Sequence, residues 1–472
     1  MDNDVIRAVT LRRGLRRPAG SALVRWLLMG AFAAGCGNAD PSARPNIVLI
    51  TVDTLRADRV NPYGYEAIRT PAIQQLADEG VVFEKAFCDT TWTIPSVAST
   101  MTGKYPVEHG VRTPFDRLAQ GETTLAELLR SHGYRTAAIV GSFPVDHRFG
   151  FDQGFDSYDD ETSRPYVAAE RPEPVKDEWF DGTRHERLQW YEQRMQGDAY
   201  RSDAEVADRV LGWLDANHEA PVFLWIHFFG PHQKPARTPQ PTDPRERRIA
   251  MSEAYDRDVE DMDHHVGRVL ARIRAHDSLN EAVIVFHSDH GETLVEHARP
   301  GHGNDLYETT AHIPLIVRLP HGERAGERVS HLVRNIDIFP TVLGLAGIPV
   351  PPGLPGQDLL TRHDDDRTHA YLEARLLRSL TGIRTPQWKL IVHGAERSFR
   401  GNRSPPSRKI ELYDLADDPG ELRDVASAEP GRVAAMLEVL RAYPQRAASP
   451  TPSVGELDRE ARDKLRALGY LE

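Results

Sequence analysis

Short apolar runs rich in β-branched residues recur along the chain, each bounded by polar or turn-forming residues. The most apolar runs cover residues 45–53 (PNIVLITVD), 221–226 (PVFLWI) and 282–287 (AVIVFH). This pattern is typical of interior strands of a parallel sheet, which are buried on both faces. Stretches with helical periodicity separate these runs, among them 71–79, 202–217 and 255–276. The alternation of strands with helices predicts an α/β fold with a doubly wound, mostly parallel sheet.

The pattern changes near residue 367. Residues 381–393 and 409–415 have the pattern of antiparallel strands, and residues 432–443 predict a closing helix. We therefore predict a large catalytic-type domain over residues 44–366 and a small C-terminal subdomain with an antiparallel sheet over residues 367–472.

Two polar, proline-containing stretches interrupt the large domain. Residues 164–199 are rich in Trp and Arg and are predicted to be an insertion that covers one face. Residues 233–248 are predicted to be a mobile loop ahead of the helix at 255–276. Specificity in such folds resides in loops, but neither stretch carries a motif that identifies a substrate.

The first 36 residues have the pattern of an export signal. Six arginines flank or precede the apolar stretch 26–35, which is too short to span a bilayer. The stretch ends at Cys36 in a segment that resembles the bacterial lipoprotein cleavage box, except for Ala33 where Leu is usual. We expect an exported protein of the bacterial cell envelope, anchored to the membrane by a lipid on Cys36. The alternative is an ordinary secretory signal with an incidental cysteine.

Charge and cysteine content narrow the possible classes further. The net charge is −12 and no basic stripe is present, which argues against nucleic acid as a partner. If Cys36 is lipidated, Cys88 is the one remaining cysteine and no intrachain disulfide can form. The folded domain must then be stabilised by its apolar core. A hydrophobic content of 40% is enough to build a large core in a chain of this length.

Polar groups that suit catalysis lie next to the predicted strands. Asp53 follows the first apolar run, and Asp289 and His290 follow the third. Open α/β sheets carry their chemistry outside the carboxyl ends of strands, where a carboxylate beside an imidazole suits a divalent metal. Asp289 as a simple helix cap is the alternative. Thr93 lies near the start of a predicted helix with Pro95 in its first turn. Such an N-terminus either is merely capped by the hydroxyl or holds a phosphate or sulfate oxyanion.

Several motifs, taken in order, resemble the sulfatase family of the alkaline phosphatase superfamily. They are 46–53 (NIVLITVD), 103–106 (GKYP), 288–292 (SDHGE), 337–343 (DIFPTVL), 411–415 (ELYDL) and 418–419 (DP). The resemblance runs from Pro45 to the end of the chain. It implies a large α/β domain with one divalent metal, a small C-terminal domain with an antiparallel sheet, and an enzyme that hydrolyses ester bonds.

The chain departs from the family at the nucleophile. Sulfatases convert a Cys or Ser to formylglycine within a Cys/Ser-x-Pro-x-Arg motif, whereas segment 93–97 reads TIPSV. Thr93 cannot become formylglycine, so none is expected, and Val97 replaces the Arg. Thr54 also stands where sulfatases have a second Asp, and His290 stands where they have Asn.

A Thr nucleophile with Asp and His ligands looks like the phosphoryl-transferring branch of the superfamily. That branch includes lipoteichoic acid synthases, phosphoethanolamine transferases and nucleotide phosphodiesterases. The resemblance implies a metal-dependent hydrolase that uses Thr93 and favours a phosphate ester, either a small molecule or an ester of an envelope glycan or lipid. The alternatives are a sulfuric ester hydrolase, a phosphoryl-group transferase and a non-catalytic lipoprotein.

The same resemblance implies the metal ligands. One divalent ion would be held by Asp53, Thr93, Asp289 and His290. An imidazole beside carboxylates favours Mn²⁺ or Zn²⁺ over Ca²⁺.

Three further histidines receive roles by the same comparison. His302 would protonate the leaving group, a task suited to imidazole near neutral pH. His232 would bind substrate. His227 could assist His232, or both could belong to a second metal site. For each of the three, a loop histidine without a role is the alternative.

Overall fold

The computed structural model describes residues 44–161, 200–217, 221–232, 243–297, 300–361, 368–375, 379–394 and 409–443. The predicted export signal with Cys36, the insertion at 164–199 and most of the predicted loop at 233–248 lie outside these residues. Within the described ranges, no helix combines the length and apolar character needed to cross a bilayer.

The strands form two sheets. The main sheet contains β1 (Ile47–Val52), β2 (Val81–Phe87), β3 (Arg135–Val140), β4 (Ser157–Asp159), β5 (Val222–Phe228), β6 (Val283–Ser288), β7 (His312–Ile313), β8 (Leu315–Arg318) and β9 (Glu327–Arg334). The small sheet contains β10 (Ala370–Arg375), β11 (Ser379–Arg384), β12 (Trp388–His393) and β13 (Ile410–Asp414).

The described helices are distributed along the whole chain. They are α1 (Pro71–Glu79), α2 (Thr93–Thr102), α3 (Pro106–His109), α4 (Leu125–Ser131), α5 (Asp203–Ala216), α6 (Pro244–Arg274), α7 (Glu308–Ala311), α8 (Ile338–Leu345) and α9 (Pro430–Ala442).

The main sheet has the strand order β4-β3-β5-β1-β6-β8-β2-β7, with β9 beside β2. Strands β4, β3, β5, β1 and β6 run parallel to one another, and β8 is antiparallel to β6. Every residue of β1, β5 and β6 is buried, because helices cover both faces of the sheet. Apolar residues of α1, α5 and α6 pack on one face, and those of α2, α4 and α8 pack on the other. The predicted doubly wound, mostly parallel sheet is confirmed.

The small sheet is antiparallel throughout, in the order β10-β11-β12-β13. Met436 and Leu440 of α9 share an apolar cluster with Ile383, Leu390 and Leu412 of its strands. The predicted C-terminal antiparallel sheet and closing helix are therefore confirmed. Strand β10, which the sequence pattern did not predict, completes the sheet.

The start of the long helix α6 differs from the prediction. The helix begins at Pro244, inside the predicted loop 233–248, and not at Tyr255. The Asp243 side chain accepts hydrogen bonds from the backbone N–H groups of Arg245 and Glu246, and Pro244 occupies the first turn. These are ordinary start signals. The early turns are exposed and polar, so they show no hydrophobic periodicity, and the prediction relied on that periodicity.

The cap of helix α1 also comes from an unexpected residue. Thr70, which directly precedes the helix and has a side chain suited to capping, makes no side-chain cap, because its hydroxyl is engaged with Asn61. Asp263 of α6 accepts hydrogen bonds from the N–H groups of Ala72 and Ile73 at 3.1 and 2.9 Å instead. A carboxylate from a distant element thus satisfies the first turn of α1, and nothing near Thr70 in the sequence indicates it.

Candidate active site

The carboxyl ends of β1 and β6 bring two carboxylates and an imidazole together. The register pairs Val52 with Ser288, so that Asp53 and Asp289 follow adjacent strands at the same level of the sheet. Asp53, Asp289 and His290 have no exposed surface. Because the apolar strands β1 and β6 pair in parallel, residues that are more than 200 positions apart in the chain become neighbours.

Helix α2 presents Thr93 to this cluster from its first turn. The Thr93 hydroxyl oxygen lies 3.1 Å from His290 Nε2. The helix is tied to the end of β6, because the Ser96 hydroxyl donates to the Asp289 carbonyl at 2.6 Å. Asn335 donates in turn to the Ser96 hydroxyl at 3.1 Å. All of these side chains are buried, so the hydroxyl is held in a fixed position.

The carboxylate oxygens of the cluster are short of donors. Asp289 Oδ1 accepts from the backbone N–H groups of Thr54 and His290 at 3.1 and 2.8 Å. Asp289 Oδ2 and both Asp53 oxygens are buried without a hydrogen bond of normal geometry. Burial, together with the Asp289 and Glu292 carboxylates, raises the pKa of Asp53, and the nearby Thr93 hydroxyl offsets part of that rise.

These atoms fit a divalent cation. Buried carboxylates that lack donors and repel one another need a positive charge between them. His290 Nε2 lies 3.5 Å from Asp289 Oδ2 and 3.9 Å from Asp53 Oδ1, which places a nitrogen donor beside the oxygens. The set of two carboxylates, one imidazole and one hydroxyl matches the ligands expected from the sequence.

The hydrogen bonds of His290 assign its tautomer. Its Nδ1 lies 2.9 Å from the Gly291 carbonyl oxygen, which can only accept. Nδ1 therefore carries a proton, and Nε2 is the ring nitrogen that faces the cluster. This carbonyl support is the arrangement usually found behind a metal-binding histidine.

The backbone is strained beside the cluster. Thr54, where sulfatases have a second Asp, has φ of +56°, a region that a β-branched residue rarely adopts. This conformation aims its N–H at Asp289. Strained residues of this kind concentrate at functional sites.

His302 and His232 lie beside His290. The His302 and His290 rings are 4.5 Å apart between centroids, and the His232 and His302 rings are 5.1 Å apart. His302 Nδ1 lies 3.1 Å from Glu292 Oε1. Burial and the His290 ring lower the pKa of His302 well below its usual value. The resting ring is therefore neutral, and its Nδ1–H is donated to Glu292.

Sequence reasoning did not place His227 in this cluster. The strand β5 carries it into the same end of the sheet, where its ligand atom, with one each on Asp53 and Asp289, forms a group whose members all lie within 4.8 Å of one another. The signal was an imidazole inside an otherwise apolar strand, paired with the residue two positions before Asp53. The prediction linked His227 to His232 instead, because the two are close in sequence.

Val97 and Arg56 are both buried among other groups of the protein. Val97, at the position of the sulfatase Arg, is buried in the apolar core of α2. Arg56 is buried in ion pairs with Asp58 and Glu296, each at 2.7 Å. The Arg56 side chain is thus engaged in ion pairs, and helix α2 itself carries no cationic residue beside Thr93.

A mostly parallel sheet with carboxylates, an imidazole and a hydroxyl at its carboxyl edge is the architecture of the metal-dependent ester hydrolases related to alkaline phosphatase. A family model described as Sulfatase matches residues 45–348. A second model, described as N-sulphoglucosamine sulphohydrolase, C-terminal, matches residues 304–441. The chain belongs to the sulfatase family and is an ester-hydrolysing enzyme.

Individual relatives agree with this assignment. Arylsulfatase K of Gallus gallus is 25% identical, and the match covers 90% of this chain and 88% of the relative. N-acetylgalactosamine-6-sulfatase of Canis lupus familiaris is 28% identical over 73% of this chain and 70% of the relative. The solved phosphonate monoester hydrolase of Agrobacterium radiobacter has a TM-score of 0.64 at 22% identity, covering 84% of this chain and 95% of that one. This structural likeness establishes the fold. The predicted family, fold and class of enzyme are confirmed, and the roles of the individual site residues stay predictions.

Proposed function

We propose that the protein is a metal-dependent hydrolase that uses Thr93 as its nucleophile and favours phosphoric esters. The observation that carries the proposal is the 3.1 Å contact between the Thr93 hydroxyl and His290 Nε2, within the buried cluster that contains Asp53 and Asp289. A threonine hydroxyl needs activation to act as a nucleophile, and metal coordination supplies it.

Asp53, Asp289, His290 and the Thr93 hydroxyl would hold the ion. When bound, a divalent metal lowers the pKa of the hydroxyl and offsets negative charge on the nonbridging oxygens of the ester. The imidazole nitrogen favours Mn²⁺ or Zn²⁺ over Ca²⁺, which prefers oxygen ligands alone.

The protein's own residues then move the atoms in two steps. In the first, the Thr93 hydroxyl gives up its proton to solvent, and a bond forms between Thr93 Oγ1 and phosphorus while the bond from phosphorus to the leaving oxygen breaks. The negative charge of the bound ester favours the protonated form of His302, which gives its proton to the leaving oxygen. In the second, His302 takes a proton from the water that attacks phosphorus, the bond between phosphorus and Thr93 Oγ1 breaks, and Oγ1 regains a proton from solvent. His232, beside His302, would bind the ester group.

A sulfuric ester is the second candidate substrate. It is supported by the similarity to arylsulfatase K and N-acetylgalactosamine-6-sulfatase. The residues at the nucleophile weigh against it, because Thr93 cannot form formylglycine and Val97 is a buried apolar residue. Transfer of the phosphoryl group to an alcohol acceptor is a variant of the first proposal and needs the same residues.

The proposed test combines three esters with two threonine variants. The purified protein is stripped of metal, reloaded with Mn²⁺, Zn²⁺ or Ca²⁺, and assayed on an aryl sulfate, an aryl phosphate monoester and an aryl phosphodiester. Thr93→Ala should lower turnover by about 10³-fold or more. Thr100→Ala is the matched control, because Thr100 is a buried threonine of the same helix whose hydroxyl has no hydrogen-bond partner.

Each outcome separates the candidates. Metal-dependent phosphate turnover that is lost in Thr93→Ala but kept in Thr100→Ala supports the proposal. Sulfate turnover that is lost in Thr93→Ala would instead identify a sulfuric ester as the substrate. Turnover that survives Thr93→Ala refutes Thr93 as the nucleophile. A second product in the presence of an alcohol identifies transfer.

We also propose that the protein is exported and anchored to the cell envelope through Cys36, on the basis of its N-terminal sequence. Detergent phase partitioning of the expressed full chain tests this. The wild type should enter the detergent phase and Cys36→Ser should not. Equal partitioning of the two would refute a lipid on Cys36.

A further inference from the structure

His227 lies on the face of the sheet that carries the candidate site. The register pairs Thr51 of β1 with His227 of β5 on one side and with His287 of β6 on the other. Paired residues of neighbouring strands project from the same face. His227, Thr51 and His287 therefore form a row across the sheet, and all three are buried. Thr51 lies two residues before Asp53, and His287 lies two residues before Asp289.

The two histidines of this row differ in their hydrogen bonds. His287 is satisfied, with Nε2 at 2.9 Å from the Thr51 hydroxyl and Nδ1 at 2.9 Å from the Ser288 carbonyl oxygen. Both ring nitrogens of His227 are buried without a hydrogen-bond partner. Most buried polar atoms in folded proteins have a partner, so two such nitrogens on one ring call for a ligand that the protein itself does not provide.

The unpartnered atoms of three residues converge. One ring nitrogen of His227 and one oxygen each of Asp53 and Asp289 lie within 4.8 Å of one another. The two Asp53 oxygens and Asp289 Oδ2 also lack hydrogen bonds of normal geometry. We propose that His227 is a ligand of the divalent metal, in addition to Asp53, Asp289 and His290. The inference rests on the proposed function for the presence of that metal.

This ligand set changes the expected choice of metal. With His227, the site offers two imidazoles and two carboxylates. Imidazole ligands suit Zn²⁺, Co²⁺ and similar transition metals, and Ca²⁺ and Mg²⁺ prefer oxygen. We therefore expect a marked preference for Zn²⁺ or Co²⁺ over Ca²⁺, and this preference should depend on His227.

The first experiment measures metal affinity in matched variants of the full chain. Zn²⁺ and Co²⁺ dissociation constants are determined by competition with a chromophoric chelator for the wild type, His227→Gln and His287→Gln. His227→Gln should bind at least about 10-fold more weakly and change the visible spectrum of bound Co²⁺. His287→Gln removes a buried imidazole from the same face and should keep the affinity and the spectrum. Equal affinity and an unchanged spectrum in His227→Gln would overturn the inference.

A second experiment needs no variant and decides the matter if His227→Gln does not fold. In Co²⁺-loaded wild type, each bound imidazole contributes one strongly shifted ring N–H proton signal in the NMR spectrum, which disappears in D₂O. Two such signals are expected, from His290 and His227, and one signal would overturn the inference. A wild-type protein that binds neither Zn²⁺ nor Co²⁺ would refute the proposed function as well, whereas binding without His227 would refute the inference alone.

Discussion

The partners of each buried imidazole decide what it can do in this protein. His287 uses both nitrogens in hydrogen bonds, so it is part of the scaffold. His290 uses one nitrogen on a backbone carbonyl and keeps the other for the cluster. His302 gives one nitrogen to a carboxylate. The residue type is the same in each case, and the neighbouring acceptor distinguishes the proposed ligand, the proposed acid–base group and the structural residue.

We expect the Glu292 carboxylate to raise the pKa of His302. The carboxylate favours the protonated ring, because an opposite charge at 3.1 Å stabilises the imidazolium. Glu292→Gln keeps the shape and removes the charge, which lowers the pKa of His302. We expect kcat to fall by about 10-fold or more, with KM little changed, and the limb of the pH–rate profile that needs protonated His302 to move to lower pH.

The control for this variant is Glu296→Gln. Glu296 lies four residues further along the same loop and pairs with Arg56, so its loss should leave the position of that limb unchanged. A Glu292→Gln enzyme with the wild-type profile would show that the carboxylate has only a structural role.

Asp89 should make stability depend on pH. Burial raises the pKa of Asp89 from 3.8 to about 8. The folded protein keeps this carboxyl protonated where the unfolded chain has released the proton. Its contribution to stability is therefore fully present below about pH 4 and is lost as the pH rises to about 8, by at most about 1.4 kcal/mol per pH unit.

Asp89→Asn removes this titration. Urea unfolding at pH 5, 6.5 and 8 should show the variant gaining stability relative to the wild type as the pH rises. Parallel stability curves for the two proteins would show that Asp89 is ionised in the folded state.

At the scale of elements, the site is built where α2 meets the loop that carries His302. Gly303 has φ of +74°, and a Cβ added to it would lie 1.9 Å from the Trp92 ring. Trp92 directly precedes Thr93 and is in edge contact with the His302 ring. This glycine therefore permits the close approach of the proposed general acid, His302, to the proposed nucleophile, Thr93.

Gly303→Ala should disrupt both stability and catalysis. Gly301→Ala is the matched control, because Gly301 also has a positive φ but its added Cβ would meet nothing closer than 4.0 Å. The control should cost about 1–2 kcal/mol of backbone strain, and Gly303→Ala should cost about 1–3 kcal/mol more because of overpacking. Urea unfolding and turnover measure the two effects. Equal losses would mean that contact with Trp92 is unimportant.

At the scale of the whole molecule, a buried cation links the small sheet to helix α7. Lys389 of β12 lies 2.7 Å from Glu308 of α7 and 2.9 Å from Glu421, and the lysine side chain has no exposed surface. Arg384 reaches the same Glu308 at 3.0 Å. The small sheet thereby supports the segment that follows His302.

Lys389→Met should destabilise the protein by about 3–5 kcal/mol, because it leaves buried carboxylates without their cation. Lys104→Met is the matched control, since the Lys104–Glu122 pair at 2.6 Å is partly exposed. Its loss should cost only about 0–1 kcal/mol. Free energies of unfolding in urea compare the two. A Lys389→Met protein as stable as the control would show that the cluster contributes little net free energy.

The sequence by itself determined the parallel strands, the polar residues that follow them, the family and the class of enzyme. These are local signals: interior strands read as continuous apolar runs, and the ordered motifs lie within single short segments. Asp53, Thr93, Asp289 and His290 could therefore be chosen together, and the fold brings them into one buried cluster. The start of α6 was misjudged because its exposed first turns carry no hydrophobic periodicity.

Only the tertiary structure decided how distant side chains satisfy one another. Asp263 caps α1, and Glu292 accepts a hydrogen bond from His302. The ring nitrogens of His227 lie near Asp53 without a hydrogen-bond partner. Each of these facts depends on strand register and helix packing between segments far apart in the chain. A histidine in an apolar run looks the same in the sequence whether its ring will hydrogen-bond to a threonine hydroxyl or bind a metal ion. The residues that decide between the two come from other strands.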